Sequence, residues 1–486
     1  MATSINTGSI TSTGIGSGLD VNSIITQLMA VEGQPLTLLQ QRKSDLDTQV
    51  SAIGQLQSLT GAMRDAAQKL TSVSLWKSTV ASSGNESAVK VTTDGNTPTG
   101  AYSVQVDSLA ARQTIASRSF AASTDKLGEG TLTIELGSYT GEPTPTGFTP
   151  KAGATPVTVT IGPDDTSLES VRDKINAAGA GVTATIVKDA SGARLALRSS
   201  ATGAENGFRI SAAETTDDGV ATDGLSALAF DAAGGSSNMT RTESAANAKA
   251  TVNGIAVESA SNTLDGVSDG MTLTLLAETA APVNVDVADD AEGVKTAIGT
   301  FVKAFNDLAS YVRNQTKYDP DTKKGGPMQG DQTLLGLQTA LRGVINQGST
   351  ASTKYERLAD IGITMQTDGT LAIDSTKLDA AVDNRAELRK LFAADGATTA
   401  SDGFMTRFAG LGAAELDSGG PLDTRNSSLQ AMIKRNQDSQ DAMQRRLDQT
   451  EARLRAQYQA LDSSMAKLNG LSSYLTGQLT AIAKNS

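Results

Sequence analysis

Residues 447–482, LDQTEARLRAQYQALDSSMAKLNGLSSYLTGQLTAI, place a large apolar residue at every seventh position. One seven-residue register joins Ile433, Leu447, Leu454, Leu461, Leu468, Leu475 and Ile482. Gln440 alone breaks this register. Such a repeat is typical of helices that pack on other helices. The second set of seam positions contains both apolar and polar residues, which favours a helix packed within a bundle. The register predicts a helix of nearly 60 residues, about 90 Å long.

The amino-terminal end has a matching pattern. Asp20 is a good N-cap, and an apolar face follows at helical spacing. This face consists of Val21, Ile24, Ile25 and Leu28. Gly33 and Pro35 interrupt the helix. A second helix is predicted from about 36 to 70, with Ile53 and Leu56 on its apolar seam. Gln49 and Thr60 are polar exceptions on that seam. Neither end can bury its stripe alone, so we expect the two ends to pack on each other and on neighbouring subunits.

Alternating apolar and polar residues predict strands in the middle of the chain. Residues 88–93 and 101–106 flank a turn-rich DGNTPTG stretch and predict a hairpin. Further strands are predicted at 131–136, 157–161, 182–187, 193–199 and 207–211, and in three stretches between 250 and 287. A helix is predicted at 167–177 behind a capping box of Thr166 and Glu169. Helices return at about 291–316, 331–346, 376–382 and 385–393, with a hairpin around 367–369.

These elements predict a multidomain α+β fold. Both chain termini form a helical coiled-coil or bundle leg, and β-rich head domains are inserted between them. We expect terminal leg helices at 1–43 and 436–486, with an N-terminus that is disordered when unassembled. A helical stalk with a β-hairpin takes 44–78 and 291–435. An inner β head takes 79–110 and 246–290, and an outer head takes 111–245.

The composition excludes several classes of function. The formal net charge of −12 argues against binding to nucleic acid or anionic membrane, which needs a basic surface. The chain contains neither histidine nor cysteine. Serine–histidine and cysteine–histidine catalysis, disulfides and thiolate metal sites are therefore impossible. We predict that the protein is not an enzyme and uses no cofactor and no metal.

Two motifs resemble a phosphate site and a calcium loop, but the residues around them do not support either function. The glycine run at 14–18 has no preceding strand and no P-loop Lys–Ser/Thr, so a flexible helix lead-in is favoured over a phosphate site. DPDTKKG at 319–325 lacks the later bidentate Glu of a calcium loop and contains two lysines. It is interpreted as a surface turn.

The amino terminus does not have the pattern of a secretory signal peptide, because the first basic residue after the terminus is Arg42. No run approaches the 18 or so apolar residues of a membrane span. We expect no membrane insertion, and we expect any export to use a route without a cleaved apolar signal.

Five stretches together resemble the flagellar filament cap proteins, the flagellar hook-associated protein 2 family. They are GIGSGLDVNSIITQLMAVEGQPLTLLQQRKSDL at the start, SVQVDSLA at 103–110, TVNGIAVESASNTLDGVSDGMTLTLL at 251–276, LADIGITMQTDGTLAIDSTKLDAAV at 358–382, and the long C-terminal helix. The resemblance covers both ends and most of the middle, and it is weakest from 111 to 245.

The resemblance implies an extracellular structural protein at the tip of the bacterial flagellum. It implies a homo-oligomeric ring, usually described as a pentamer, whose helical legs contact flagellin and whose cap retains emerging flagellin and promotes its folding and insertion. Type III export without cleavage, a cytoplasmic export chaperone at the C-terminal region and contacts with hook–filament junction proteins are implied too.

Specific residues are expected to make the leg, flagellin and self-assembly contacts. They are Val21, Ile24, Ile25, Leu28, Ile53, Leu56, Leu447, Leu454, Leu461, Leu468 and Leu475. Two alternatives stay open at this point. The head domains could form an adhesin toward host mucin or glycan, or the chain could be another hook-associated or flagellin-like filament protein.

Overall fold

The computed structural model of the chain describes residues 20–216, 219–234, 237–321 and 323–485. These residues form two compact units. The helical unit combines residues 20–72 with 294–485, and the strand unit is residues 73–293. The expected α+β architecture, helical at both ends with β-rich material inserted between them, is confirmed. The division into four domains stays a prediction. The glycine run at 14–18 and the expected disorder before it lie outside the described residues.

Ten α-helices are described. They are α1 Val21–Glu32, α2 Gln34–Thr71, α3 Val73–Lys77, α4 Leu168–Ala177, α5 Ala291–Thr316, α6 Gln332–Asn346, α7 Ser375–Val382, α8 Arg385–Ala393, α9 Phe404–Leu416 and α10 Pro421–Asn485. The predicted C-terminal helix is confirmed and spans 65 residues. The helices predicted at 291–316, 331–346, 376–382 and 385–393 are confirmed as α5 to α8.

Twenty strands are described. They are β1 Thr79–Ser83, β2 Val89–Thr93, β3 Gly100–Ser108, β4 Thr114–Ala116, β5 Gly130–Thr140, β6 Gly147–Pro150, β7 Val157–Ile161, β8 Val182–Asp189, β9 Gly192–Ser199, β10 Gly207–Glu214, β11 Thr240–Glu243, β12 Ala248–Val252, β13 Ile255–Ser259, β14 Thr263–Ser268, β15 Met271–Leu275, β16 Val283–Asp289, β17 Tyr318–Asp319, β18 Lys324–Gly325, β19 Ile363–Met365 and β20 Leu371–Ile373.

The core of the helical unit lies where α2 packs against α9 and α10. From Ile53 onward the buried residues of α2 lie mainly three or four positions apart, as one face of a helix requires. They are Leu46, Ala52, Ile53, Leu56, Thr60, Met63, Ala66, Ala67 and Leu70. The contact between α2 and α9 is close, because a Cβ added at Gly412 would lie 2.8 Å from the Cβ of Arg64.

Helix α9 is absent from the sequence-based prediction. Its sequence, FMTRFAGLGAAEL, contains two glycines, which disfavour a helix by about 1 kcal/mol each relative to alanine. Tertiary packing outweighs this cost. Phe408 of α9 lies 5.1 Å from the ring of Phe301 and 5.8 Å from that of Phe305, both on α5. The three rings fill the space between the two helices.

In the strand unit, one hydrophobic cluster lies between a five-stranded antiparallel sheet, ordered β1-β16-β3-β12-β13, and a three-stranded sheet, ordered β14-β15-β2. The predicted hairpin of residues 88–93 and 101–106 is wrong. Both strands exist, but β2 pairs with β15 while β3 pairs with β16 and β12. Each strand gains buried partners from residues 248–289, and the pattern of one local stretch contains no information about such distant partners.

A second hydrophobic cluster of the strand unit is formed by buried residues between positions 115 and 239. Strand β5 pairs with β10 on one side and with β6 and β7 on the other, and a separate sheet has the order β11-β4-β9-β8. The strands predicted at 131–136, 157–161, 182–187, 193–199 and 207–211 are all confirmed. The predicted capping box is wrong: the cap of α4 is Ser167, whose Oγ accepts from the Ser170 amide at 3.1 Å. The carbonyl of Thr166 instead accepts from the Leu127 amide.

Leu56 should be essential to the stability of the helical unit. Its side chain is fully buried on α2, so Leu56→Ala removes apolar contacts and leaves a cavity. We expect a loss of about 2–5 kcal/mol in the free energy of unfolding, measured by urea denaturation. Leu38→Ala on the same helix is the matched control, because Leu38 is 71% exposed, and it should change stability by no more than about 0.5 kcal/mol. Equal effects would contradict this packing.

Glu415 should make stability depend on pH. This α9 residue is buried, and its Oε2 has no hydrogen-bond partner among the described residues. Burial raises the pKa of its carboxyl above the usual 4.5. Its proton is thus held more tightly in the folded state, so stability falls as the pH rises from the unfolded-state pKa through the folded-state pKa. In urea denaturation Glu415→Gln should be more stable than wild type at pH 7, and the difference should vanish at pH 4. A pH-independent difference would contradict this assignment.

Candidate assembly surface

Helix α1 begins where the sequence predicts. Asp20 Oδ1 accepts a hydrogen bond from the Ser23 amide at 3.0 Å, which confirms the N-cap. The helix packs against α10, and its buried residues are Val21 and Ile25. Ile24 is half-buried and Leu28 is 42% exposed. The predicted single apolar face is therefore divided between the chain's own interior and its surface.

The junction between α1 and α2 is a single residue. The backbone of Gly33 keeps helical angles, and its amide donates to the Met29 carbonyl at 2.8 Å. Pro35 lies in the first turn of α2, where its missing N–H costs least. The interruption at Gly33 and Pro35 is confirmed, and it separates two helices without an intervening loop.

Gln440, the break in the C-terminal register, has a structural role. Its Nε2 donates to Asn436 Oδ1 at 2.6 Å and to the Leu39 carbonyl of α2 at 3.4 Å. A polar side chain at a seam position fixes register at some cost in stability. Gln49, a polar exception on α2, likewise donates to the Pro327 carbonyl at 3.1 Å. Both residues bond the backbone of another segment, where apolar side chains would make only packing contacts.

The residues expected to make assembly contacts fall into two groups. Ile53, Leu56 and Leu447 are buried inside the helical unit of a single chain. Leu454 is half-buried, and Leu461, Leu468 and Leu475 are 45%, 59% and 52% exposed. Only the second group, with Leu28 and part of Ile24, is accessible to another molecule in this conformation. The apolar register of α10 is thus covered by the chain at one end and uncovered at the other.

Two accessible residues were not identified from the sequence. Val31 and Leu38 are 64% and 71% exposed and stand seven positions apart across the α1–α2 junction. Their spacing continues the predicted apolar stripe beyond Leu28. The seven-residue spacing could have revealed them, but Gly33 and Pro35 between them suggested a break in the pattern.

The described residues form no cluster of metal ligands, and the charged groups of one polar cleft pair with one another. No group of three or more acidic side chains able to hold a metal ion occurs among them. An open polar cleft of about 480 Å³ in the strand unit contains Arg209, Glu135 and Asp231. Arg209 bonds Glu135 at 2.7 Å and approaches Asp231 at 3.4 Å, so these charges satisfy one another. The hydrogen bond to Glu135 raises the pKa of Arg209.

Charge is distributed unequally between the two units. Residues 73–293 contain 27 acidic and 14 basic side chains, whereas the remainder of the sequence contains 26 acidic and 27 basic ones. The strand unit therefore accounts for all of the net negative charge. Across the described ranges, no helix is long and apolar enough to cross a membrane.

Family models match three parts of the chain. The model described as flagellar hook-associated protein 2 N-terminus matches residues 17–113, and the model of the C-terminus matches residues 245–470. A flagellin hook IN motif matches residues 148–201. These matches include α1, α2, most of α10 and much of the strand unit.

Relatives and solved structures agree with the family models. The flagellar hook-associated protein 2 of Escherichia coli K12 is 31% identical over 97% of this chain and 98% of its own length. That of Salmonella typhimurium LT2 is 33% identical over 98% and 100%. A crystal structure of the flagellar cap protein FliD D1-D2-D3 domains from Escherichia coli has a TM-score of 0.61 at 29% identity, covering 78% of this chain and 99% of that one. The chain belongs to the flagellar hook-associated protein 2 family.

Proposed function

We propose that this protein is a structural cap subunit whose helical unit supplies a leg that contacts flagellin. The capping role, at the extracellular tip of the bacterial flagellar filament, belongs to the family in which the chain is placed. One observation supports the leg contact. Leu461, Leu468 and Leu475 are exposed on the part of α10 that continues beyond the buried Leu447. An exposed stripe of this kind is typical of a surface that another molecule covers.

The proposed mechanism is mechanical. A partner that covers the stripe gains about 25 cal/mol for each Å² of apolar surface removed from water, so the leg binds partly completed flagellin sites at the filament end. Each flagellin subunit that folds into such a site displaces a leg, and the cap rotates and climbs. In this proposal the cap retains emerging flagellin and promotes its folding and insertion, and no catalytic step is needed.

Further partners follow from the same proposal. The subunits form a homo-oligomeric ring, with five copies, and meet hook–filament junction proteins before filament growth. The protein leaves the cell unfolded by the flagellar type III route, and a cytoplasmic chaperone binds its C-terminal region beforehand. The absence of cysteine suits this route, because no disulfide can form before threading. The adhesin alternative gains no support from the names of the matched relatives.

Deleting residues 1–35 should abolish capping without unfolding the rest of the protein. The deletion removes α1, which packs against α10, but leaves the α2–α9–α10 core. We expect short or absent filaments by electron microscopy and unpolymerised flagellin in the medium. Circular dichroism of the purified variant should show a cooperative thermal transition. Normal filament growth with this truncation would contradict the leg model.

Ile25→Asp should reproduce the deletion by a single change. Ile25 is 2% exposed where α1 packs on α10, and a carboxylate there is costly to bury. Thr26→Asp is the matched control, because it adds the same charge at the next residue, which is exposed. Swimming radius and flagellin in the medium should change strongly for Ile25→Asp and little for Thr26→Asp. A functional Ile25→Asp protein would show that docked α1 is unnecessary.

A further inference from the structure

The sequence contains the dipeptide Asn–Gly three times, at 206–207, 253–254 and 469–470. In this dipeptide the asparagine can lose its side-chain amide without an enzyme, because the glycine nitrogen attacks Cγ of the asparagine and closes a succinimide ring. Glycine carries no Cβ that would hinder the attack. The reaction requires a glycine nitrogen that can reach Cγ and an Nδ2 group that is free to leave. The fold therefore decides which of the three dipeptides reacts.

The first dipeptide is locked inside the strand unit. Asn206 is 8% exposed. Its Nδ2 donates to the Thr202 carbonyl at 2.6 Å, and its Oδ1 accepts from Lys151 Nζ at 2.7 Å. The Gly207 amide donates to the Ala204 carbonyl. Both the leaving group and the attacking nitrogen are engaged, so this asparagine is protected.

The third dipeptide is protected by its helix. Asn469 and Gly470 lie within α10, where each backbone amide donates to the carbonyl four residues earlier. The Cα–Cβ bonds of a helix tilt toward its amino-terminal end, whereas the Gly470 nitrogen lies on the carboxyl-terminal side of Asn469. The helical backbone therefore holds the nitrogen away from the side chain that it would attack.

The second dipeptide forms the exposed two-residue turn between β12 and β13. Asn253 and Gly254 have φ angles of 50° and 83°, as a tight hairpin turn of this sequence requires. Asn253 Oδ1 accepts from the Ser103 amide, and the Asn253 amide donates to the Ser103 carbonyl, both at 2.8 Å. Within the described ranges, neither Nδ2 of Asn253 nor the Gly254 amide has a protein hydrogen-bond partner.

We propose that Asn253 is the site at which the folded chain deamidates spontaneously. A bond forms between the Gly254 nitrogen and Cγ of Asn253, and the bond from Cγ to Nδ2 breaks. Solvent hydroxide removes the proton of the Gly254 nitrogen, and the departing amide takes a proton from water and leaves as ammonia. A water molecule then opens the ring at either carbonyl, which gives aspartate or isoaspartate. Water is the only co-reactant, and the inference does not depend on the proposed leg contact.

The two products should differ in their effect on the sheet. Aspartate keeps the backbone of the turn and an oxygen that accepts from Ser103. Isoaspartate moves a methylene group into the backbone, so the turn between Val252 and Ile255 lengthens and the two bonds to Ser103 lose their alignment. Because a two-residue turn fixes the register of its strands, isoaspartate should weaken the pairing of β12 with β13 and β3. Both products add one negative charge to the acidic strand unit.

The site is tested by ageing the purified full-length protein at pH 8 in native buffer and in guanidinium chloride. Both samples are digested, and mass spectrometry of separated peptides counts aspartate and isoaspartate against an unaged sample. In native buffer, conversion of Asn206 and Asn469 should be at least about tenfold slower than that of Asn253, because local opening frees the turn first. In denaturant the three sites should react at similar rates, because each asparagine precedes glycine.

Three results of this experiment would overturn the inference. Equal conversion of the three asparagines in native buffer would show that the fold selects none of them. Faster conversion of Asn206 or Asn469 would place the reaction elsewhere. Conversion of Asn253 in denaturant alone would show that the two hydrogen bonds to Ser103 protect the turn.

An Asn253→Asp variant separates the added charge from the lengthened backbone. Freshly purified, it should retain the thermal transition of the unaged wild-type protein, measured by circular dichroism. Aged wild-type protein enriched in isoaspartate should unfold at a lower temperature. If the fresh variant instead unfolds at the temperature of the aged protein, the charge causes the change and the proposed loss of register is wrong.

Discussion

The packing of α2 against α10 is the contact on which the rest of the helical unit depends. It joins segments separated by several hundred residues, and it is fixed by buried apolar side chains such as Leu56 together with the hydrogen bond from Gln440 to the Leu39 carbonyl. The strand unit, residues 73–293, is inserted in the chain between α2 and the later helices of the helical unit.

The same pairing explains why the molecule presents an incomplete bundle. Helix α10 has 65 residues, while α1 and α2 together have 50 and α2 also packs against α9. The difference in length leaves the final part of α10 without a described helical neighbour, and its leucines stay in water. Exposed leucine is tolerated singly, but a regular stripe favours association. The energetic cost of the uncovered stripe in a single chain therefore becomes a driving force for assembly.

Much of this fold could be predicted from the sequence, because its periodicities are strong and local. The heptad register of α10, the cap at Asp20 and the alternation of β5 and β7 to β10 each depend on neighbouring residues. Two of the errors have a different cause. The pairing of β2 with β15, and the helical state of glycine-containing α9, depend on partners far away in sequence. Among the residues expected to make assembly contacts, Leu461, Leu468 and Leu475 are exposed, whereas Ile53 and Leu56 are buried in the core of the helical unit. Sequence spacing alone cannot distinguish these two cases.

The unequal charge of the two units limits how such a protein can assemble. With 27 acidic against 14 basic side chains, the strand units of neighbouring copies in the proposed ring repel one another. Salt screens this repulsion beyond about 8 Å at physiological ionic strength, but it does not turn repulsion into attraction. The free energy of association in the proposed ring must then come mainly from apolar contacts, and the exposed leucines Leu461, Leu468 and Leu475 lie in the helical unit. In the proposed ring the helical unit therefore supplies the attraction between copies, and repulsion between the acidic strand units limits its strength.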